Sequence, residues 1–149
     1  AIMELVAPVG EVYQAGTFSG NPISITAGIK TIEILERESA IPRINALGDR
    51  MRAALTDIIH DSGAGVEAYV SGVGSMFKIF FSPSGNPVRN YSDALTCDKN
   101  RYMRLFHKML SSGVFLPPSQ FETNFISLAH SEEDIETTIE AYKKSIPEI

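Results

Sequence analysis

A short segment near the start of the sequence combines residue types that can bind an anion. Gly16-Thr17-Phe18-Ser19-Gly20-Asn21-Pro22 holds two glycines and two hydroxyls directly before a predicted helix. Backbone N–H groups and hydroxyls at such a place can bind a phosphate. Asn21 is also a preferred N-cap, and Pro22 suits the first helical turn, so a capped turn without a ligand explains the same residues. Residue types alone favour the capped turn.

Glu122 is the second candidate, because it lies in a predicted loop, Pro117–Glu122, between two apolar segments. A carboxylate in that place can contact an amine, but an isolated carboxylate in a loop is usually only solvated. Residue types alone favour the solvated side chain. The three histidines, His60, His107 and His130, lack the paired spacing of metal ligands. We therefore expect no metal site.

Helices and short strands must position these residues. Asn21 and Pro22 predict a helix that runs to about Glu38, with an apolar stripe broad enough to suggest contacts on more than one side. Apolar residues then recur every three or four positions from Ile41 to Ile58, which predicts a second helix that Gly63 ends. Alternation predicts a strand at 66–70, a link at 71–74, and a second strand at 76–81 in the centre of the sheet.

The second half of the chain predicts two more helices. Residues 82–98 are rich in turn formers and predict an exposed loop with little regular structure. A helix follows at 99–112, and short strands are predicted at 114–116 and 125–128. The last helix begins at Ser131, whose hydroxyl can cap it. This mixture of helices and a small sheet predicts an α+β fold.

Composition excludes several classes of protein. The 149 residues include 13 Lys and Arg against 18 Asp and Glu, which gives a net charge of −5. That balance argues against a nucleic-acid partner, and no apolar run approaches the roughly 20 residues that span a bilayer. The single cysteine, Cys97, predicts a reducing, cytoplasmic location. Because the sequence begins at Ala1, inside an apolar run, we expect a part of the protein to be missing.

Two blocks of sequence carry a family resemblance. Tyr13–Pro22 with Thr26–Thr31, and Pro118–Glu122 with Ser127–Ile135, resemble the glutamate-1-semialdehyde 2,1-aminomutase family. The first block is shared more loosely with class III aminotransferases. The resemblance covers nearly the whole chain but only about the C-terminal third of a family member.

The resemblance implies a fold-type I, pyridoxal-phosphate-dependent homodimer that converts glutamate-1-semialdehyde to 5-aminolevulinate for tetrapyrrole synthesis. Residues 1–38 would end the large cofactor domain and form the connecting helix, and residues 39–149 would form the small C-terminal domain. The Schiff-base lysine of the family lies upstream of Ala1, so this chain would hold no catalytic residue and be inactive alone. Lys30 and the other lysines, Lys78 among them, match no cofactor-binding motif.

The resemblance also assigns roles to the two candidates. Gly16 and Thr17 match the pair that approaches the cofactor phosphate of the opposite subunit, which reverses the preference for a merely capped turn. Glu122 matches a carboxylate that faces the substrate and could orient its amino group. Two alternatives stay open: another class III aminotransferase, and a stand-alone anion-binding module.

Overall fold

The computed structural model describes residues 2–63 and 66–149. The chain divides into two compact units, Ala1–Ser39 and Ala40–Ile149. Within the described residues, no helix combines the length and apolar character that crossing a membrane requires.

The first unit contains a short 3-10 helix, Ile2–Leu5, and helix α1, Pro22–Arg37. The predicted cap is present, because the Asn21 side-chain oxygen accepts hydrogen bonds from the Ile23 amide at 3.0 Å and the Ser24 amide at 3.2 Å. Helix α1 has no buried residue in this chain, and the contacts expected along its apolar stripe stay a prediction. Its isoleucines are exposed in this chain.

The second unit packs helices against a small antiparallel sheet of strand order β1-β2-β3. Strand β2 is central, as predicted, because it pairs with β1 on one side and with β3 on the other. The main elements of this unit are α2 (Ala40–Asp61), β1 (Tyr69–Val73), β2 (Met76–Phe80), α3 (Tyr91–Leu95), α4 (Lys99–Ser111), β3 (Asn124–Phe125) and α5 (Glu132–Ser145).

The first strand of the hairpin lies further along the chain than predicted, whereas the second begins at Met76 as predicted. Strand β1 starts at Tyr69 and includes Ser71 and Gly72, which the sequence placed in the link. Gly72 pairs with Phe77, and a Cβ on it would lie 2.2 Å from the Met76 carbonyl oxygen. The glycine therefore permits close approach of two strands and does not mark a turn. The turn itself is Gly74-Ser75, where Gly74 has a φ of 55°.

Helix α2 holds this turn in place. A Cβ on Gly48 would lie 2.0 Å from the Gly74 carbonyl oxygen, so the helix backbone and the turn are in direct contact. The Arg52 guanidinium donates hydrogen bonds to the carbonyls of Gly74 and Met76. The hairpin is thus fixed by a helix that precedes it by about 20 residues in sequence.

Residues 82–98 contain more regular structure than predicted. A 3-10 turn covers Pro83–Gly85, and α3 begins after Asn90, whose side chain accepts a hydrogen bond from the Asp93 amide at 3.0 Å. Asp93 in turn accepts from the Arg89 amide at 2.9 Å. These two side-chain bonds, one from the N-cap residue and one to the residue before it, fix the start of a helix of only five residues.

The strand predicted at 114–116 is wrong. Only Asn124 and Phe125 form β3, and they pair with Phe77 and Met76. Val114 and Leu116 instead pack against the core, so their apolar character reflects burial and not strand pairing. The short strand predicted at 125–128 is likewise shifted to begin one residue earlier and to end at Phe125.

The core lies between the sheet and three helices. Helix α5 begins with a capping box between Ser131 and Asp134, and its predicted stripe of Ile135, Ile139, Tyr142 and Ile146 is fully buried. On α2 only the C-terminal part of the predicted stripe is buried, since Ile41 is 51% exposed. The central buried side chains from the other elements are Met51, Leu55, Phe77, Ile79, Leu105 and Met109.

Candidate functional site

The first candidate pair, Gly16 and Thr17, lies in an exposed turn of the first unit. The Ser19 amide donates to the Gly16 carbonyl at 2.9 Å, and the Asn21 amide donates to the Phe18 carbonyl at 3.0 Å. These two bonds close the turn directly before α1. A Cβ on Gly16 would lie 2.6 Å from the Ser19 hydroxyl oxygen, so a side chain at this position would displace that hydroxyl.

The donors of this turn divide into two groups. Asn21 already binds the Ile23 and Ser24 amides at the helix end. Among the hydrogen bonds of the described residues, none uses the hydroxyl or the amide of Thr17. Any anion at this turn would therefore be bound by the Gly16-Thr17 segment and not by the capped amides of α1.

The second candidate, Glu122, is an exposed residue of the second unit and ends the Glu122 loop, which we define as residues 117–122. The Glu122 amide donates to the Ser119 carbonyl at 3.2 Å, and the Phe121 amide donates to the Ser119 hydroxyl at 3.2 Å. The loop therefore closes as a tight turn. The Glu122 side chain is exposed, while the backbone of the loop is held by these bonds.

Buried polar side chains attach this loop to three neighbouring elements. The Lys78 ammonium donates to the Ser119 carbonyl at 2.9 Å, and the Tyr102 hydroxyl donates to the Pro117 carbonyl at 2.6 Å. The Gln120 side chain, only 5% exposed, donates to the Ala94 carbonyl at 3.3 Å. The backbone around Glu122 is thus fixed by contacts from β2, α4 and α3.

Lys78 and Tyr102 form an electrostatic unit with Glu122. The Lys78 nitrogen lies 3.8 Å from the centre of the Tyr102 ring, a cation–π contact. Burial lowers the pKa of Lys78 from 10.5 to about 7, and the nearby Glu122 charge opposes that shift. Burial also raises the pKa of Tyr102 to about 12, and the Glu122 charge adds to this effect. The Glu122 charge therefore acts on both buried groups.

Glu122 lines two cavities. One has a volume of about 380 Å³ and is also lined by Asn124 and His130. The other has a volume of about 470 Å³ and is also lined by Lys78 and Tyr91. The carboxylate therefore borders spaces that a small molecule could enter. No group of three metal-ligating side chains occurs among residues 2–63 and 66–149.

The sequence did not single out Lys78 as a site residue. It lies in the centre of an apolar strand and is only 4% exposed. Charged side chains are almost never fully buried without a partner. A lysine in a strand that was predicted to lie in the centre of the sheet was therefore the signal of a buried polar site.

Comparison with known proteins assigns the family. The family model for class-III aminotransferases matches residues 1–146, and the chain therefore belongs to the class-III aminotransferase family. Among solved structures, one described as a transaminase with PLP bound superposes with a TM-score of 0.70. It is 26% identical and covers 97% of this chain, which spans 32% of that structure.

Two sequence relatives are more similar to this chain than that solved structure is. Glutamate-1-semialdehyde 2,1-aminomutase from Methanosarcina acetivorans is 55% identical over 97% of this chain. The protein of the same name from Methanococcoides burtonii is 53% identical over 95% of the chain. This chain spans 33% and 32% of those two proteins, respectively, or about a third of their length.

Proposed function

We propose that this chain forms the C-terminal part of a pyridoxal-phosphate-dependent aminomutase that converts glutamate-1-semialdehyde to 5-aminolevulinate, a step of tetrapyrrole synthesis. The supporting observation is the 55% identity to a protein of that name over nearly the whole chain. The transaminase structure is only 26% identical, so the relatives favour the aminomutase over another class III aminotransferase. The family match favours an enzyme over a stand-alone anion-binding module.

The Gly16-Thr17 turn suits the phosphate of the cofactor. Thr17 offers an unused hydroxyl, and the absence of a Cβ at Gly16 keeps the turn tight beside Ser19. Hydroxyl and amide donors are the groups that bind phosphate oxygens in proteins. When bound, pyridoxal phosphate supplies the ring that stabilises negative charge at the substrate carbon. The residues of this chain would hold the phosphate end of the cofactor.

Glu122 suits the amino group of the substrate. An outward carboxylate on a rigid loop can accept hydrogen bonds from an ammonium and orient it. The loop backbone is held by Lys78 and Tyr102, so little conformational entropy remains to be lost when the substrate binds. Glu122 would therefore orient the substrate and would not carry out the covalent chemistry.

The exposed stripe of α1 suits a connecting helix. A soluble protein rarely leaves so large a contiguous apolar surface uncovered. We place the end of the cofactor domain and the connecting helix at residues 1–38 and the small domain at 39–149. The covering surface would come from the two-thirds of the relatives' length that this chain does not span. The enzyme would be a cytoplasmic homodimer.

The proposed reaction is tested with the intact enzyme that contains this chain. Purified enzyme loaded with pyridoxal phosphate should convert glutamate-1-semialdehyde to 5-aminolevulinate with no added keto acid, because donor and acceptor positions belong to one molecule. A class III aminotransferase would require a separate keto acid. Turnover that depends on an added keto acid would therefore contradict the aminomutase and support the alternative.

The role of Glu122 is tested by Glu122→Gln in the same enzyme. Loss of a charged hydrogen bond to the substrate amine should raise KM by about 10-fold or more, with unchanged cofactor content. Glu67→Gln, which neutralises an exposed carboxylate outside the Glu122 loop, is the matched control and should leave KM unchanged. Equal KM values for the two variants would remove Glu122 from the substrate site.

The homodimer is tested by mixing subunits. A Thr17→Val subunit paired with one that lacks the Schiff-base lysine should give one normal site per dimer if Thr17 serves the opposite subunit. That dimer would show wild-type cofactor affinity in half of its sites. If Thr17 serves its own subunit, every site carries a lesion, and normal affinity should appear in none of them.

A further inference from the structure

Lys78 is a buried amine in the most buried strand of the sheet. Its neighbours Phe77 and Ile79 are also buried, and they point to the opposite face of β2 because side chains alternate along a strand. Removing an ammonium from water costs several kcal/mol unless hydrogen bonds and charges compensate for the loss. A hydrophobic residue would fill the position at lower cost. The partners of Lys78 therefore indicate what it does.

The hydrogen-bond partner of Lys78 belongs to the Glu122 loop, and the ring beneath the ammonium is bonded to that loop. The Ser119 carbonyl accepts one hydrogen bond from the Lys78 ammonium at 2.9 Å and a second from the Glu122 amide at 3.2 Å. A single oxygen atom thus joins the lysine to the backbone of Glu122. The Tyr102 ring, which lies under the ammonium, is itself fixed by the bond from its hydroxyl to Pro117.

Lys78 and Glu122 also face the same space. Both line the cavity of about 470 Å³. The Glu122 charge favours the protonated form of Lys78 against the effect of burial, which places the two groups within electrostatic reach of each other. A change at Lys78 would therefore be transmitted to the carboxylate through the backbone of the loop and through the electric field.

We propose that Lys78 is a positioning residue for Glu122, because it holds the Glu122 loop through the Ser119 carbonyl in the conformation that presents the carboxylate to the substrate amino group. This inference rests on the proposed function, since it takes Glu122 as the group that contacts the substrate. Lys78 itself contacts the loop and not the reacting atoms.

The experiment is a double-mutant cycle in the intact enzyme, with Lys78→Met, Glu122→Gln and the double variant. Lys78→Met should raise KM for glutamate-1-semialdehyde by about 10-fold, with a smaller change in kcat and unchanged cofactor content. In the Glu122→Gln background, the same substitution should change KM by less than about 2-fold, because a residue that acts through Glu122 has nothing left to position. Lys144→Met, at an exposed position on α5, is the matched control.

The outcomes distinguish a failure of the Lys78 inference from a failure of the Glu122 assignment. If Lys78→Met leaves KM unchanged, or if its effect and that of Glu122→Gln multiply, Lys78 does not act through Glu122 and the inference is overturned. If Glu122→Gln leaves KM unchanged, the assignment of Glu122 in the proposed function fails, and the inference fails with it. An effect of Glu122→Gln without an effect of Lys78→Met overturns the inference alone.

A second readout needs no turnover. Amide hydrogen exchange should increase at Phe121 and Glu122 in Lys78→Met, and it should remain at the wild-type rate in Lys144→Met. Wild-type protection of the loop in Lys78→Met would overturn the inference. If Lys78→Met prevents folding, Lys78→Gln, which also removes the charge, replaces it in the double-mutant cycle and in the exchange measurement. The same results then support or overturn the inference.

Discussion

The titration of Lys78 should make the stability of the second unit depend on pH. Burial lowers the pKa of this lysine from 10.5 to about 7 in the folded protein. Between these two values the unfolded chain keeps a proton that the folded chain has lost. Stability rises with pH wherever the unfolded state binds more protons. The free energy of unfolding should therefore increase as the pH rises above 7.

The size of the effect follows from the two pKa values. Each pH unit at which only the unfolded state is protonated adds about 1.4 kcal/mol to the free energy of unfolding. Because Lys78 is half-protonated in the folded state near pH 7, the free energy of unfolding should rise by roughly 1–2 kcal/mol between about pH 7 and pH 8.5. At higher pH the Cys97 thiol acts in the opposite direction, because burial raises its pKa above 9.0. The window below pH 9 therefore isolates the lysine.

The assay is urea unfolding of the 149-residue chain followed by far-UV circular dichroism, at several pH values in this window. Wild type should gain stability, whereas Lys78→Met should lack this gain because it has no amine to titrate. Lys144→Met should behave like wild type. All other groups contribute equally to the three proteins, so the difference between the curves belongs to Lys78. If the free energy of unfolding changes with pH in the same way for wild type and Lys78→Met, the assigned titration of Lys78 is refuted.

Three further predictions concern local geometry. Gly48→Ala should destabilise the second unit by roughly 1–3 kcal/mol in urea unfolding, because its Cβ would lie 2.0 Å from the Gly74 carbonyl oxygen. Gly28→Ala, whose Cβ would meet nothing within 4 Å, should cause no such loss. Ser131→Ala should cost about 1 kcal/mol in the same assay, since it removes the cap of α5. Thr17→Val should weaken binding of pyridoxal phosphate to the intact enzyme by about 10- to 100-fold in a spectroscopic titration, with little change in kcat at saturating cofactor.

Each of these predictions has a contradicting result. Equal unfolding midpoints for Gly48→Ala and Gly28→Ala would mean that the contact between α2 and the hairpin turn adjusts without cost. An unchanged midpoint for Ser131→Ala would show that water replaces the capping hydroxyl. Wild-type cofactor affinity in the Thr17→Val homodimer would remove Thr17 from the phosphate site.

The helix ends were predictable because their partners are close in sequence. Asn21 caps amides two and three residues away, and Ser131 caps the amide of Asp134. The residue types and their spacing therefore contain the whole interaction. The short helix α3 carries the same kind of signal in Asn90 and Asp93, although the turn formers around it predicted a loop.

The strand boundaries depended on contacts between distant segments. Gly72 resembles a turn residue in the sequence, but in the fold its missing Cβ lets it approach the Met76 carbonyl oxygen. Val114–Leu116 is apolar enough for a strand, yet Val114 and Leu116 pack against the core without joining the sheet. A strand needs a free partner as well as a suitable composition, and only the tertiary structure supplies one.

The sequence by itself determined the family resemblance, the two candidate segments and the α+β class, because motifs and helical periodicity are local properties of the chain. Only the tertiary structure decided how Glu122 is held. Lys78 and Ser119 are 41 residues apart, and their bond exists because the central strand and the loop meet in the fold. The environment that lowers the pKa of Lys78 arises in the same way. Burial and long-range contact are properties of the packed chain, and no residue type or spacing specifies them in advance.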